Sequence, residues 1–149
     1  MAYVGLAMSE ANVERVLSHP LVMIGTDGNA IAPEGAAATW KPHPRTYGSC
    51  ARVLGHYTRH RGLFDLPTAV HKMTGMPADH LGLGDRGRVA AGKKADLVLF
   101  DAAGIADRAT FDDPHRYPIG IRHVLVNGDP VVENGVHRGR RPGRVLRRV

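Results

Sequence analysis

Leu21-Val22-Met23-Ile24-Gly25 is apolar throughout, and this run constrains the fold more than any other feature of the chain. A strand with one face in water alternates polar and apolar residues. A run without alternation predicts a strand buried on both faces, as in a parallel sheet covered by helices. The residues ahead of it predict a helix. Ser9 offers an N-cap oxygen, Glu10 suits the first turn, and Val13, Val16 and Leu17 recur at helical spacing until Pro20 stops the helix. Helix followed by buried strand is an α/β signature. One such strand cannot make a parallel sheet, so the expected class is α/β and the expected architecture incomplete.

A long loop follows, from Thr26 to about Thr46, with Pro33, Pro42, Pro44, Gly28 and Gly35. Ordered loops of this length are more often functional than not. Tyr47 to Arg61 reads as a helix with Cys50, Val53, Leu54 and Tyr57 on one face, Cys50 serving as a small buried hydrophobe. Asp65 is expected to cap a further helix that tolerates Pro67 in its first turn, buries Leu66, Ala69, Val70 and Met73, and closes at Gly75. Pro77 then opens a short helical turn through Leu81. After Gly82 the character changes. Arg88-Val89 and Ala95 to Phe100 read as short strands. His123 to Val126, Asn127-Gly128 and Pro130 to Val132 read as a β-hairpin, since Asn-Gly is the strongest short-range hairpin signal. Asp101 to Gly120 reads as irregular covering structure. The organisation expected is therefore an α/β piece over 1–82 and a small β piece over 83–149.

Composition narrows the function classes. A hydrophobic share of 43% and a charged share of 23% are those of a globular protein, not a disordered one. No apolar run approaches the roughly 20 residues of a membrane span. The start, Met1-Ala2-Tyr3-Val4-Gly5, lacks a basic region leading into an apolar stretch, so no secretory signal is expected and a cytoplasmic location is. A single cysteine excludes an internal disulfide and a thiolate-rich zinc site. The net charge of +6 raises the question of a nucleic-acid partner. Much of the excess lies in Arg138, Arg140, Arg141, Arg144, Arg147 and Arg148, with no aromatic residues between them to stack on bases. An Arg-tail nucleic-acid binder is accordingly the weakest reading.

Asp27 is the most informative polar residue, two positions past Gly25 at the end of the expected strand. In (β/α)8 barrels active-site groups come from those strand ends. A carboxylate there could ligate a metal or take a proton from an activated water. It could equally cap a turn, because Thr26-Asp27-Gly28 is ordinary turn chemistry. His43 and Arg45, in the loop beside Asp27, are candidate substrate contacts, and arginine suits a two-point grip on a carboxylate. They could also only pin the loop. His56 and His60 share helical spacing, but Tyr57 stands where a metalloprotease helix has glutamate, so a solvated face is expected.

Val22-Met23-Ile24-Gly25-Thr26-Asp27-Gly28 resembles the eighth barrel strand and catalytic aspartate of the N-acyl-D-amino-acid deacylases, within the metal-dependent amidohydrolase superfamily. The likeness continues in family order through His43-Pro44-Arg45-Thr46-Tyr47-Gly48, Lys72-Met73-Thr74-Gly75-Met76-Pro77-Ala78 and Leu81-Gly82-Leu83-Gly84-Asp85-Arg86-Gly87. It runs on through Ala95 to Asp101, Ala106-Asp107-Arg108-Ala109-Thr110-Phe111, Val124 to Gly128 and Arg141 to Leu146. The resemblance implies that 1–82 is the last strand and closing helices of a (β/α)8 barrel, and 83–149 part of a small β-sandwich with an Arg-rich tail. It also implies zinc-dependent hydrolysis of an N-acyl-D-amino acid to D-amino acid and carboxylate, with Asp27 moving the proton.

The departures matter as much. Enzymes of this family carry a His-x-His pair and further histidine ligands on earlier strands, whereas this chain has nine histidines and no His-x-His. Cys50 lies downstream of the Asp27 loop and does not match the family's metal-binding cysteine. Apart from a possible contribution from Asp27, the zinc ligands are therefore expected outside this chain, in the missing N-terminal part of the barrel or a complementary chain. The isolated chain, read as a truncated or split product, is expected to be inactive. The alternative from another class is a non-catalytic interaction or assembly module derived from the same fold. A catalytic zinc site generally needs about three protein ligands. The purified chain is expected to retain no stoichiometric zinc after dialysis, and elemental analysis finding one zinc per chain would overturn this and redirect attention to His56 and His60.

Overall fold

The structure is a computed structural model that describes residues 8–35 and 39–146, so Met1 to Gly5 and the tail arginines Arg147 and Arg148 lie outside the described residues. Its elements are helix α1 (Glu10–Ser18), helix α2 (Arg45–Arg52) continuing into a π-helical segment (Val53–His60), helices α3 (Leu66–Met73) and α4 (Gly75–Leu81), and strands β1 (Leu97–Phe100), β2 (Ile121–Val126), β3 (Asp129–Glu133) and β4 (Val136–His137). The strands form one antiparallel sheet in sequence order.

The α1 boundaries follow from the expected signals. The Ser9 hydroxyl oxygen accepts the Asn12 N–H at 3.3 Å, and the helix ends at Ser18 ahead of Pro20. The apolar run behind it departs from expectation: Leu21 to Gly25 is not a strand. Leu21 is 80% exposed, and the Ile24 N–H finds its acceptor in the Lys72 carbonyl of α3, at 3.0 Å. A strand requires a neighbour to pair with, and the described strands pair among themselves in the antiparallel sheet. Lys72, only 2% exposed, completes the anchorage. Its ammonium donates to the carbonyls of His19 at 2.6 Å and Val22 at 2.8 Å and lies over the Phe64 ring.

In the segment Val53–His60 the Arg61 N–H reaches back five residues to the His56 carbonyl, and the Thr58 hydroxyl donates to the Val53 carbonyl at 2.8 Å. This widened winding is the π pattern. Val53, Leu54 and Tyr57 are buried as expected, but Cys50 is exposed, because the buried stripe of α2 runs through Gly48 and Ala51. In α3 the Asp65 carboxylate accepts the Thr68 N–H at 2.9 Å. Its inward face is Ala69 and Lys72, while Leu66 and Val70 lie at the rim, each 36% exposed. Gly75 opens α4 instead of closing α3, and the left-handed residue that ends a helix is Gly82, with φ 70°.

Ala51, Val53, Leu54, Tyr57 and Ala69 form the core with one residue from far along the chain, Ile105, which is 2% exposed. The segment that carries Ile105 docks on one stripe of the α2–π helix. Gly48 meets Asp107, Arg52 pairs with Asp107 at 3.3 Å, Gly55 lies under the Ile105 carbonyl, and Arg59 donates to the Ala102 carbonyl at 3.0 Å. The expected hairpin is present, with Asn127 and Gly128 both at positive φ, as a two-residue turn of its hand requires. A second Asn-Gly pair, Asn134-Gly135, makes an equivalent turn into β4 that the sequence reading passed over. Arg88-Val89 forms no strand. Arg88 is instead held by the Asp79 carboxylate through two hydrogen bonds, of 2.7 and 2.5 Å.

Replacing an exposed helical glycine by alanine ordinarily stabilises a protein, by roughly 0.5–1 kcal/mol. At Gly55 the sign should reverse, since the added methyl would lie 2.5 Å from the Ile105 carbonyl oxygen. Gly55→Ala is expected to cost about 1–3 kcal/mol in urea unfolding followed by circular dichroism. Gly25→Ala, where nothing lies within 4 Å, is the control and should change stability by no more than about 0.5 kcal/mol. Equal effects at the two positions would refute the docking account.

Candidate active site

Asp27 lies where the chain leaves the Leu21–Gly25 run, with φ 46°, in the left-handed region that aspartate tolerates better than most residues. The turn around it is closed locally by the Gly28 N–H, which donates to the Thr26 hydroxyl at 3.3 Å. Gly28 makes the packing close: a Cβ there would stand a tight 3.2 Å from the Arg45 carbonyl oxygen and the Thr46 Cα. The turn therefore rests directly on the start of α2.

That contact brings Asp27 to Arg45. The Arg45 Nη2 pairs with the Asp27 carboxylate at 2.7 Å, and its Nε donates to the Asp27 carbonyl at 3.0 Å. One guanidinium thus holds both the side chain and the backbone of Asp27. The carboxylate is 84% exposed, so the pair contributes little to stability; what it supplies is geometry. His43 belongs to the same cluster, its Nδ1 accepting the Arg45 N–H at 3.1 Å. A bare Nδ1 leaves the proton of the neutral ring on Nε2. Burial, and then the Arg45 charge, hold the His43 pKa below its ordinary value, with Asp27 opposing. The ring also packs edge-on against Phe111, with centroids 5.0 Å apart. Asp27, His43 and Arg45, read in the sequence as neighbours of one loop, thus stand together.

His56 and His60 have separate partners. His56 Nε2 lies 3.6 Å from Glu10, and His60 lies 3.4 Å from the Arg59 guanidinium. Among the described residues no three His, Cys, Asp or Glu side chains converge on a point where a metal ion could sit. The Asp27 carboxylate, already paired with a guanidinium, does not constitute a metal site by itself. The sequence reading missed Tyr47, Trp40 and His115. The Tyr47 hydroxyl lies 3.1 Å from His115 Nδ1, and His115 Nε2 lies 2.9 Å from the Trp40 carbonyl. No local pattern announces such a contact, because its partners are far apart in the chain.

The depressed His43 pKa has a consequence for stability. The unfolded chain binds the His43 proton more readily than the folded one, so the stability contributed by neutral His43 is present above the ordinary histidine value of about 6.5 and is lost as pH falls through the lower folded value. A histidine NMR titration should place His43 below about 6.5. His43→Gln should lessen the fall in stability below that pH. A His43 midpoint above the ordinary value would refute the account.

The chain as a whole is similar to known proteins. The model of the amidohydrolase family matches residues 5–132. The chain is 48% identical over 141 residues to a D-aminoacylase of Alcaligenes xylosoxydans xylosoxydans, which covers 95% of this chain and 28% of that protein. Among solved structures it is similar to a D-aminoacylase whose crystal structure defines a novel subset of amidohydrolases, with TM-score 0.86, 48% identity and coverage of 95% of this chain and 28% of the other. It is also similar to the N-acyl-D-glutamate deacylase of Bordetella bronchiseptica in complex with zinc and a phosphonate mimic of the tetrahedral intermediate, with TM-score 0.80, 42% identity and coverage of 94% and 28%. The chain thus spans about 28% of the length of these relatives. With the family model matched from residue 5 to residue 132 and the structural likeness extending over nearly the whole chain, this protein belongs to the amidohydrolase family.

Proposed function

We propose that this chain supplies the proton-transfer end of an active site that hydrolyses N-acyl-D-amino acids. The observation that carries the reading is the placement of Asp27, exposed at the end of the Leu21–Gly25 run and held at two points by Arg45. In this reading residues 1–82 are the last strand and closing helices of a (β/α)8 barrel, and 83–149 are part of its β-sandwich. Leu21 to Gly25 becomes a strand once neighbours are supplied by the missing N-terminal part of the barrel or a complementary chain. The want of a strand partner for the run among the described residues and the coverage of 28% of the relatives support this.

The residues of this chain then have defined tasks. Water adds to the amide carbonyl and gives its proton to the Asp27 carboxylate. As the tetrahedral intermediate collapses, the C–N bond breaks and Asp27 returns the proton to the leaving nitrogen, giving a free D-amino acid and a carboxylate. Arg45 and His43 line the approach, and Arg45 is suited to receive the substrate carboxylate on the guanidinium that now holds Asp27. Zinc, named in the structure of the Bordetella bronchiseptica relative, belongs to the complete enzyme. Its further ligands would come from outside this chain, as no three-ligand group exists among the described residues.

The test is an Asp27→Asn substitution in an enzyme completed with a matching upstream part. Loss of general acid–base catalysis typically lowers the rate constant about 100- to 10,000-fold, and KM should change little. Zinc content and melting temperature must match the parent. Asparagine is an equally good turn residue, so activity above about a tenth of parental would remove Asp27 from the mechanism.

A further inference from the structure

A distant segment, residues 111–117, contacts the stretch from Trp40 to Tyr47 at the start of α2. His115 lies at the centre of that contact. Its Nε2 stands 2.9 Å from the Trp40 carbonyl oxygen, which only accepts, so Nε2 is the nitrogen that donates. In the neutral ring Nδ1 is then bare, and the Tyr47 hydroxyl, 3.1 Å away, donates to it. Both ring nitrogens are thereby used, one on the loop and one on the first turns of α2. Trp40 and Tyr47 bracket a short stretch of chain, and within that stretch lie His43 and Arg45. The same distant segment adds two ring contacts: Phe111 against His43 at 5.0 Å, and Tyr117 against Tyr47 at 5.8 Å.

We propose that His115 is a positioning residue for the Asp27–Arg45 pair: its imidazole ties Trp40 to Tyr47 and so holds the bracketed stretch from which Arg45 reaches Asp27. The bridge acts through Arg45 and touches no reacting atom. Its importance for chemistry rests on the deacylase reading, whereas the bridge itself does not. Packing alone is a weaker account, since the His115 and Tyr47 rings meet at 5.8 Å and 61°, a contact that phenylalanine would preserve. The two hydrogen bonds are what phenylalanine would remove.

The experiment is hydrogen–deuterium exchange read by mass spectrometry on this chain, with no substrate, comparing peptides that cover residues 40–48 and residues 66–73. The first contains the amides of Arg45, Thr46, Tyr47 and Gly48, which donate to His43 and Pro44. Loss of one or two hydrogen bonds of ordinary net strength corresponds to about five- to thirty-fold faster local opening. His115→Phe should accelerate exchange in 40–48 by that order and leave 66–73 unchanged. Reaction of Arg45 with phenylglyoxal, an arginine-selective dicarbonyl reagent, should quicken in parallel. His115→Gln, whose amide N–H can still reach the Trp40 carbonyl, should recover part of the protection, and Tyr47→Phe should lose part of it. Parental exchange in His115→Phe overturns the proposal, and so does an equal rise in both peptides, which would mean a general loss of stability. Should His115→Phe fail to fold, parental exchange in both His115→Gln and Tyr47→Phe overturns it instead. Failure of the deacylase test at Asp27 would leave these exchange rates as they are, and a failed bridge would leave that test unaffected.

Discussion

The close approach of the α2–π helix to the segment between β1 and β2 is the contact on which the rest of the structure depends. It is possible because two residues on one stripe of that helix, Gly48 and Gly55, have no side chain. Through that gap Ile105 enters the core formed by Ala51, Val53, Leu54, Tyr57 and Ala69, while Arg52 pairs with the Asp107 carboxylate and Arg59 donates to the Ala102 carbonyl. Gly120 repeats the device from the opposite side. It has φ 87°, and a Cβ there would lie 2.6 Å from the Ile105 Cα. Glycines on both sides of one isoleucine therefore decide how the sheet is joined to the helices.

The sheet has a polar centre of its own. Arg86 reaches both Asp96 and the Asn127 side chain, whose own backbone N–H is taken by Asp96 at 2.7 Å and whose amide donates to the Pro142 carbonyl at 2.8 Å. Asn127 thus turns the hairpin and also ties the start of β1 to the C-terminal stretch. A residue read as simple turn chemistry does more than the turn requires, because the turn presents its side chain to charged neighbours.

The Asp27 site has a similar origin. Its members come from the end of an apolar run, a long loop and the start of a helix, and the exposed ion pair between Asp27 and Arg45 is too weak to hold them together unaided. Glycine at position 28 lets the turn lie against Arg45 and Thr46, and the 111–117 segment supports the loop from behind. The geometry of the charged pair is thus set by neutral contacts around it.

Much of the local structure was legible in the residues themselves. Ser9 and Asp65 cap their helices and Asn127-Gly128 turns the hairpin, because each depends on a side chain or a φ angle within a few residues. The grouping of Asp27 with His43 and Arg45 was partly legible as well, as neighbours of one loop. What the sequence could not decide is whatever depends on a partner. Leu21 to Ile24 has the composition of a buried strand, yet with no strand to pair with among the described residues it remains an irregular segment pinned by Lys72. Cys50 faces water and Ala51 the core, since which face of a helix is buried is set by what docks on it. The contacts of His115 with Trp40 and Tyr47 exist only once segments more than sixty residues apart are folded together. Caps and turns are short-range and can be read along the chain, whereas pairing, docking and bridging are long-range and are decided by tertiary structure.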